Sequence, residues 1–154
     1  AVYTVPYGVM VPKEVDNLLL PVPVSGSHIG FSTLRMEPCW MAMGQAAGIA
    51  SALSIDGKVK VQNIDLSRLQ DKLIDQKATL MYFKDVDYTS PHFRMVQYLG
   101  LRGYLPEWTA RLQEPVDATT LAAWKKLSGT DLPGIEAGKT TRLATLEMIY
   151  RKIK

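Results

Sequence analysis

The chain is poor in the residues that most often carry chemistry. It holds one cysteine, Cys39, and two histidines, His28 and His92, in 154 residues. A single thiol excludes an internal disulfide and any multi-cysteine metal site. Two scattered imidazoles beside it cannot complete a zinc-type ligand set. No apolar run reaches the ~18 residues of a membrane span. Lys58 with Lys60, Lys125 with Lys126, and Arg151 to Lys154 are separate solvated groups at a net charge of +3, so no basic stripe for nucleic acid is present. No G-x-G-x-x-G occurs anywhere in the sequence. The phosphate-cradling turn of a dinucleotide-binding βαβ unit is therefore missing from these residues. Asp85 and Asp87 are not followed by the Gly and Glu of an EF-hand loop. Ser25, Ser27 and Ser32 have neither a nucleophile elbow nor a partnered His and acid. The chain opens at Ala1 with no charged leader and no cleavage pattern, which reads as a processed or excised piece.

What is there is ordinary globular material: 47% hydrophobic and 21% charged residues, enough for a core and for one domain or two small ones. The expected fold class is α+β and mostly helical. "YGVMVP" (7–12) and "NLLLPVPV" (17–24) are strand candidates, joined through a turn at Asp16 and Asn17 and expected to pair over 7–12 and 17–22. Pro21 and Pro23 cannot donate ladder hydrogen bonds, so the pairing should end near Pro21. "SGSHIGFSTL" (25–34) reads as a loop. Helices are expected near 38–55, 65–76, 90–101, 117–127 and 140–152. Their starts are Glu37 as cap with Pro38 at the first position, Asp65 as cap, and Ser90 as cap with Pro91 first. On the second helix Leu66, Leu69, Leu73 and Ile74 share a face. The composition changes near "MYFKDVDY" (81–88), which divides the chain into domains 1–82 and 83–154.

The helix of residues 38–55 is unusual in carrying Gly44, Ala47, Gly48 and Ser51 where a core-facing helix has Leu and Ile. Each Gly costs ~1 kcal/mol relative to Ala in a helix interior, so something close is expected to offset it. Tight packing and a cofactor lying across the helix both fit that face. Its start, a Ser/Gly loop followed by "RMEP", presents free N–H groups and the positive end of a dipole, which suit negative charge.

The stretch "VPYGVMVPKEVDNLLLPVPVSGSHIGFSTLRMEPCWMAMGQAAGIASAL" resembles the C-terminal flavin-binding segment of FAD-dependent oxidoreductases. The resemblance runs over about fifty residues in the order "VPK…NLLLPV…S.SH…RMEP…GQAAG…AL". It implies that Ser25, Gly26, Ser27 and His28 form the loop beside the isoalloxazine. It also implies that Arg35, Met36, Glu37 and Pro38 lie at a helix start facing the pyrimidine end, with His28 and Arg35 the weak catalytic candidates. His28 is open to two readings, a flavin neighbour or proton donor and a hydrogen-bonded structural residue. Pro21-Val22-Pro23 stands where many members have Ala-Gly-Arg, which removes a contact from that Arg. With the βαβ unit missing, the chain reads as a C-terminal fragment supplying one wall of the site. Its partners would be the N-terminal FAD-binding and substrate domains, whose strands and glycine-rich helix would cover the small-residue face. FAD is implied for the full-length protein and none for the fragment alone, which is expected to be inactive. The uncovered face leads to a further expectation, a homodimer or a companion chain.

"FKDVDYTSPHFRMVQYLGLRGYLPEWTARLQEPVDATTLAAWKKL" (83–127) resembles an S-layer-homology module, with a partial second copy in 131–153. That resemblance implies a helical binding module and favours an extracytoplasmic location. Trp108, Trp124, Tyr98 and Tyr104 are expected to share its small core. The alternative to an enzyme fragment is accordingly a non-catalytic interaction or cell-surface module.

Overall fold

The structure, a computed structural model, describes residues 3–154. Among the described residues there are six α-helices: α1 (His28–Leu34), α2 (Glu37–Gly57), α3 (Leu66–Asp75), α4 (Phe93–Leu101), α5 (Ala118–Ser128) and α6 (Arg142–Ile153). Among the described residues there is no strand, only one isolated antiparallel bridge between Pro115 and Thr141. The fold is therefore helical, and the expected strand pair over 7–12 and 17–22 is not formed. The reason is visible in the backbone. Tyr7–Met10 winds into a 3-10 turn after Pro6, with Val9 N–H donating to Pro6 C=O and Val11 N–H to Gly8 C=O. Only single bonds join the two segments, Leu20 N–H to Met10 C=O and Ser25 N–H to Val9 C=O. Pro21 and Pro23 have no donor to extend them, and a lone two-stranded ribbon is marginal in water. Asn17 does take the left-handed turn conformation, at φ 56°.

The chain divides into two compact units, residues 1–80 and 81–154. In the first, α2 lies on α3. Ala50 (0% exposed), Leu53, Ile64, Leu69 and Leu73 form one apolar cluster. Met10, Val24, Leu34, Met43 and Ala47 form a second around the first half of α2. Asp65 caps α3, its carboxylate accepting from the Ser67 and Arg68 amides. Leu66 is 47% exposed, so it leaves the buried face that Leu69, Leu73 and Ile74 share. Lys58 ends α2 in the left-handed conformation at φ 50°, its N–H returning to the Ser54 and Ile55 carbonyls. Tyr7 ties the N-terminal segment to the α2–α3 connection through its hydroxyl, which donates to Val61 C=O at 2.9 Å.

The second unit is built on one core centred on α4, in which Phe93, Val96, Gln97 and Leu99 are almost fully buried. α4 starts three residues after its expected cap: Ser90 Oγ accepts from His92 N–H, and the helix begins at Phe93. Gln97 is fully buried, and both ends of its amide are bonded to the backbone of one residue. Its Oε1 accepts from Met81 N–H and its Nε2 donates to Met81 C=O, both at 2.7 Å. Asp85 receives the amides of Ala110 and Arg111 at 2.8 and 2.7 Å, which holds the loop before α5. Asp117 and Thr141 cap α5 and α6. Trp124, Tyr104 and Tyr98 are buried, with Trp124 Nε1 donating to Tyr104 C=O at 2.7 Å. Trp108 is 47% exposed and does not join that core. It lies in the irregular segment before α5, where its backbone carbonyl accepts from Lys84 N–H at 2.8 Å.

Candidate functional site

The residues singled out in the sequence bracket α1 in the first unit: Ser25 to His28 lie at its start, and Arg35 to Pro38 where it ends and α2 begins. The expected loop of 25–34 is mostly the helix α1. Ser27 is its cap: Oγ accepts from Gly30 N–H at 3.1 Å, so this hydroxyl is committed to the backbone. The signal was the Ser27-x-x-Gly30 spacing, masked by a Gly and two Ser-type residues that lower helix propensity. Ser25 N–H donates to Val9 C=O at 2.9 Å, leaving its side chain exposed. Gly26 packs closely: an added Cβ would lie 3.4 Å from Phe31 N and 3.5 Å from Leu34 Cδ1. His28 is the first residue of α1 and is exposed.

Arg35 ends α1, its N–H returning to Phe31 C=O at 3.0 Å, and Met36, 50% exposed, is the N-cap of α2. Glu37 and Pro38 are thus the first two residues inside α2, and Glu37 is not its cap. No side chain caps this end. Its supply of donors is nonetheless small. Pro38 has no N–H, and the Cys39 and Trp40 amides both turn back to Met36 C=O, at 3.0 and 3.1 Å. The Glu37 carboxylate in the first turn offsets part of the positive dipole end. Exposed Arg35 adds a full positive charge next to it in sequence. One further group is unusual: the indole N–H of Trp40, one turn into α2, is buried without an acceptor.

Beside this joint lies a cleft of about 350 Å³. Val5, Val9, Ile29 and Leu34 give it apolar walls, and Ser25 and Gly26 also line it. Ser27, His28 and residues 35–38 are not part of that lining. Ser25 and Gly26 thus line a cleft that the sequence did not reveal, since its other walls come from residues 3–6, from Val9 and from α1. A volume at the low end of the ~300–1,000 Å³ usual for ligand sites suits one fused ring and not a dinucleotide. Among the described residues no group of His, Cys, Asp and Glu could hold a metal ion.

Residues 1–73 match the family model of FAD dependent oxidoreductase. The match ends within α3 and covers both the cleft and the α1–α2 joint. It supports an FAD-dependent oxidoreductase segment here, and the family implies FAD in its full-length members. No curated protein and no solved structure matches the chain significantly.

Proposed function

We propose that residues 1–80 supply one wall of the flavin site of an FAD-dependent oxidoreductase, the wall that meets the ring end of the cofactor. The family match over residues 1–73 carries this reading. The cleft lined by Ser25 and Gly26 supports it, being mostly apolar and of ring size. When bound, the flavin supplies hydride or electron transfer. The chain's own part is to position and to stabilise charge. Ser25 and Gly26 bring backbone close to the ring, and Ser27 holds α1 in place through its capping bond. In this reading the uncapped start of α2 and Arg35, which lie outside the cleft lining, contribute positive potential toward the charge that collects on reduction. With few free amides at that start, its contribution is dipolar and of order 0.3–1 kcal/mol. The residues fit the ring and not the pyrophosphate, for which no glycine-rich turn exists in this sequence. The remaining walls come from polypeptide outside this sequence, and the chain by itself is inactive.

A flavin titration tests the proposal. FAD added to the isolated chain should keep its fluorescence, because the contacts that dominate affinity are missing. Stoichiometric quenching at low concentration would show a complete site and overturn the fragment reading. In a longer flavoprotein carrying this segment, Gly26→Leu should fill the cleft and lower flavin occupancy.

For residues 81–154 we propose a helical interaction module of S-layer-homology type. Two parallel stretches support it, Leu105-Pro106 leading to the capped α5 and Leu132-Pro133 leading to the capped α6. Binding of the isolated unit to cell-envelope material, and its loss on unfolding, is the corresponding test.

A further inference from the structure

The tyrosines at 98 and 104, in the second unit, are buried without a use for their hydroxyls. Tyr104 is 3% exposed and Tyr98 8%, yet neither hydroxyl makes a hydrogen bond among the described residues. Buried polar side chains are almost always bonded, so such a pair calls for a physical reason. Packing accounts only for the rings, Tyr98 meeting Tyr150 edge to face at 5.2 Å between centroids. Burial raises the Tyr104 pKa above its ordinary 10.0, Tyr98 raises it further and Arg102 lowers it, so these polar groups are within electrostatic reach of one another. At neutral pH Tyr104 is therefore a fixed O–H donor.

Tyr104 opens onto a pocket of about 250 Å³, whose other walls are Arg102, Leu127, Ser128 and Ile153. It sits where α4, α5 and α6 end. No acidic residue lines it. The Ser128 hydroxyl is occupied, donating to Lys125 C=O and accepting from Thr130 N–H. Arg102 has donors to spare. Its guanidinium stacks on the Tyr98 ring at 3.4 Å, gives one N–H to Tyr98 C=O at 3.1 Å, and has no carboxylate partner among the described residues. Closing the end of α4 explains that single bond, but it leaves the phenols unexplained. Helix C-termini by themselves oppose an anion. Here Lys125 and Lys126 in the last turn of α5, and Arg151 and Lys152 in that of α6, offset two of them. Lys154 Nζ, 4.9 Å from the Tyr98 ring centroid, adds further positive charge.

We propose that this pocket binds a small oxyanion, a carboxylate or phosphate group held by the Arg102 guanidinium and the Tyr104 and Tyr98 hydroxyls. A guanidinium beside phenol donors, with no carboxylate in the lining, complements such a group. The site stands apart from the flavin reading and requires no cell-envelope material.

Titration of the full chain with sodium phosphate and with sodium acetate, followed by amide NMR at constant ionic strength, tests it. Saturable shifts confined to residues 98–104 and 127–130 are expected with at least one of the two, and the one that saturates distinguishes phosphate from carboxylate. Tyr104→Phe keeps the ring and removes the donor, and should weaken binding ~10-fold. Tyr98→Phe should act alike, and Arg102→Gln, which removes the charge, should weaken binding further. Sodium chloride in place of either anion should give no saturable shift. Shifts that follow ionic strength alone, or binding that both tyrosine variants leave unchanged, overturn the proposal and assign the phenols to water.

Discussion

Asp117 shows how one carboxylate can set the acid limit of a helix. Its Oδ1 accepts from Thr120 N–H at 2.8 Å and its Oδ2 from Thr120 Oγ1 at 2.6 Å. Those bonds favour the charged form and hold its pKa below the ordinary 3.8. A depressed folded pKa gives stability that is fully present above the unfolded value and is lost as the pH falls through the folded one. The melting temperature of the second unit should therefore fall as the pH is lowered from about 4, and Asp117→Asn should flatten that part of the profile. Asp87 behaves alike through Thr89, so the double variant should be flatter still. Asp85→Ala removes the acceptor for two amides, one belonging to Arg111 at φ 52°. A loss of about 1–2 kcal/mol in urea unfolding is expected, with Asp85→Asn between the two.

At the scale of elements, glycines in helices have opposite meanings in the two units. Gly48 faces open space, whereas a Cβ on Gly100 in α4 would sit 3.0 Å from Phe83 Cζ and 3.1 Å from its Cε2. Phe83 is buried and cannot swing out, so Gly100→Ala should cost about 1 kcal/mol although alanine is the better helix former. Denaturant midpoints of the two proteins decide it. Helices α3, α5 and α6 were legible because Asp65, Asp117 and Thr141 announce their own starts and the apolar spacing follows at once. The two apolar runs before α1 were not legible as turns and single crossings. Hydrophobicity marks burial there, and only the prolines hinted that no ladder would form. Ser25 and Gly26 drew attention in the sequence, but the cleft they line did not. Cavity walls from Val5, Val9 and Ile29 have no sequence signature of their own.

For the whole molecule, two of the apolar clusters are built from residues of the first unit and one from residues of the second. Two unfolding transitions are accordingly expected by calorimetry, and the variants Asp85→Ala and Gly100→Ala should move only one of them. Merging of the two into a single transition that both variants shift would show the units to be thermodynamically one. The small-residue helix has an inner and an outer half at this scale. Ala47 and Ala50 face the clusters, and Gly44 and Gly48 do not. Only the inner half repays its small residues by packing within this unit.

The double bond pair between Gln97 and Met81 bears on where the chain can be cut. Met81 is the first residue of the second unit, and its amide and carbonyl both end on one buried side chain. An excised piece beginning at Tyr3 or at Leu80 keeps the knot intact. Begun at Phe83, it loses both of the bonds that Gln97 makes to Met81 inside an apolar interior. Limited proteolysis should reflect the same arithmetic: nicking before Leu80 should release a resistant piece, whereas trimming past Met81 should make the remainder quickly digestible.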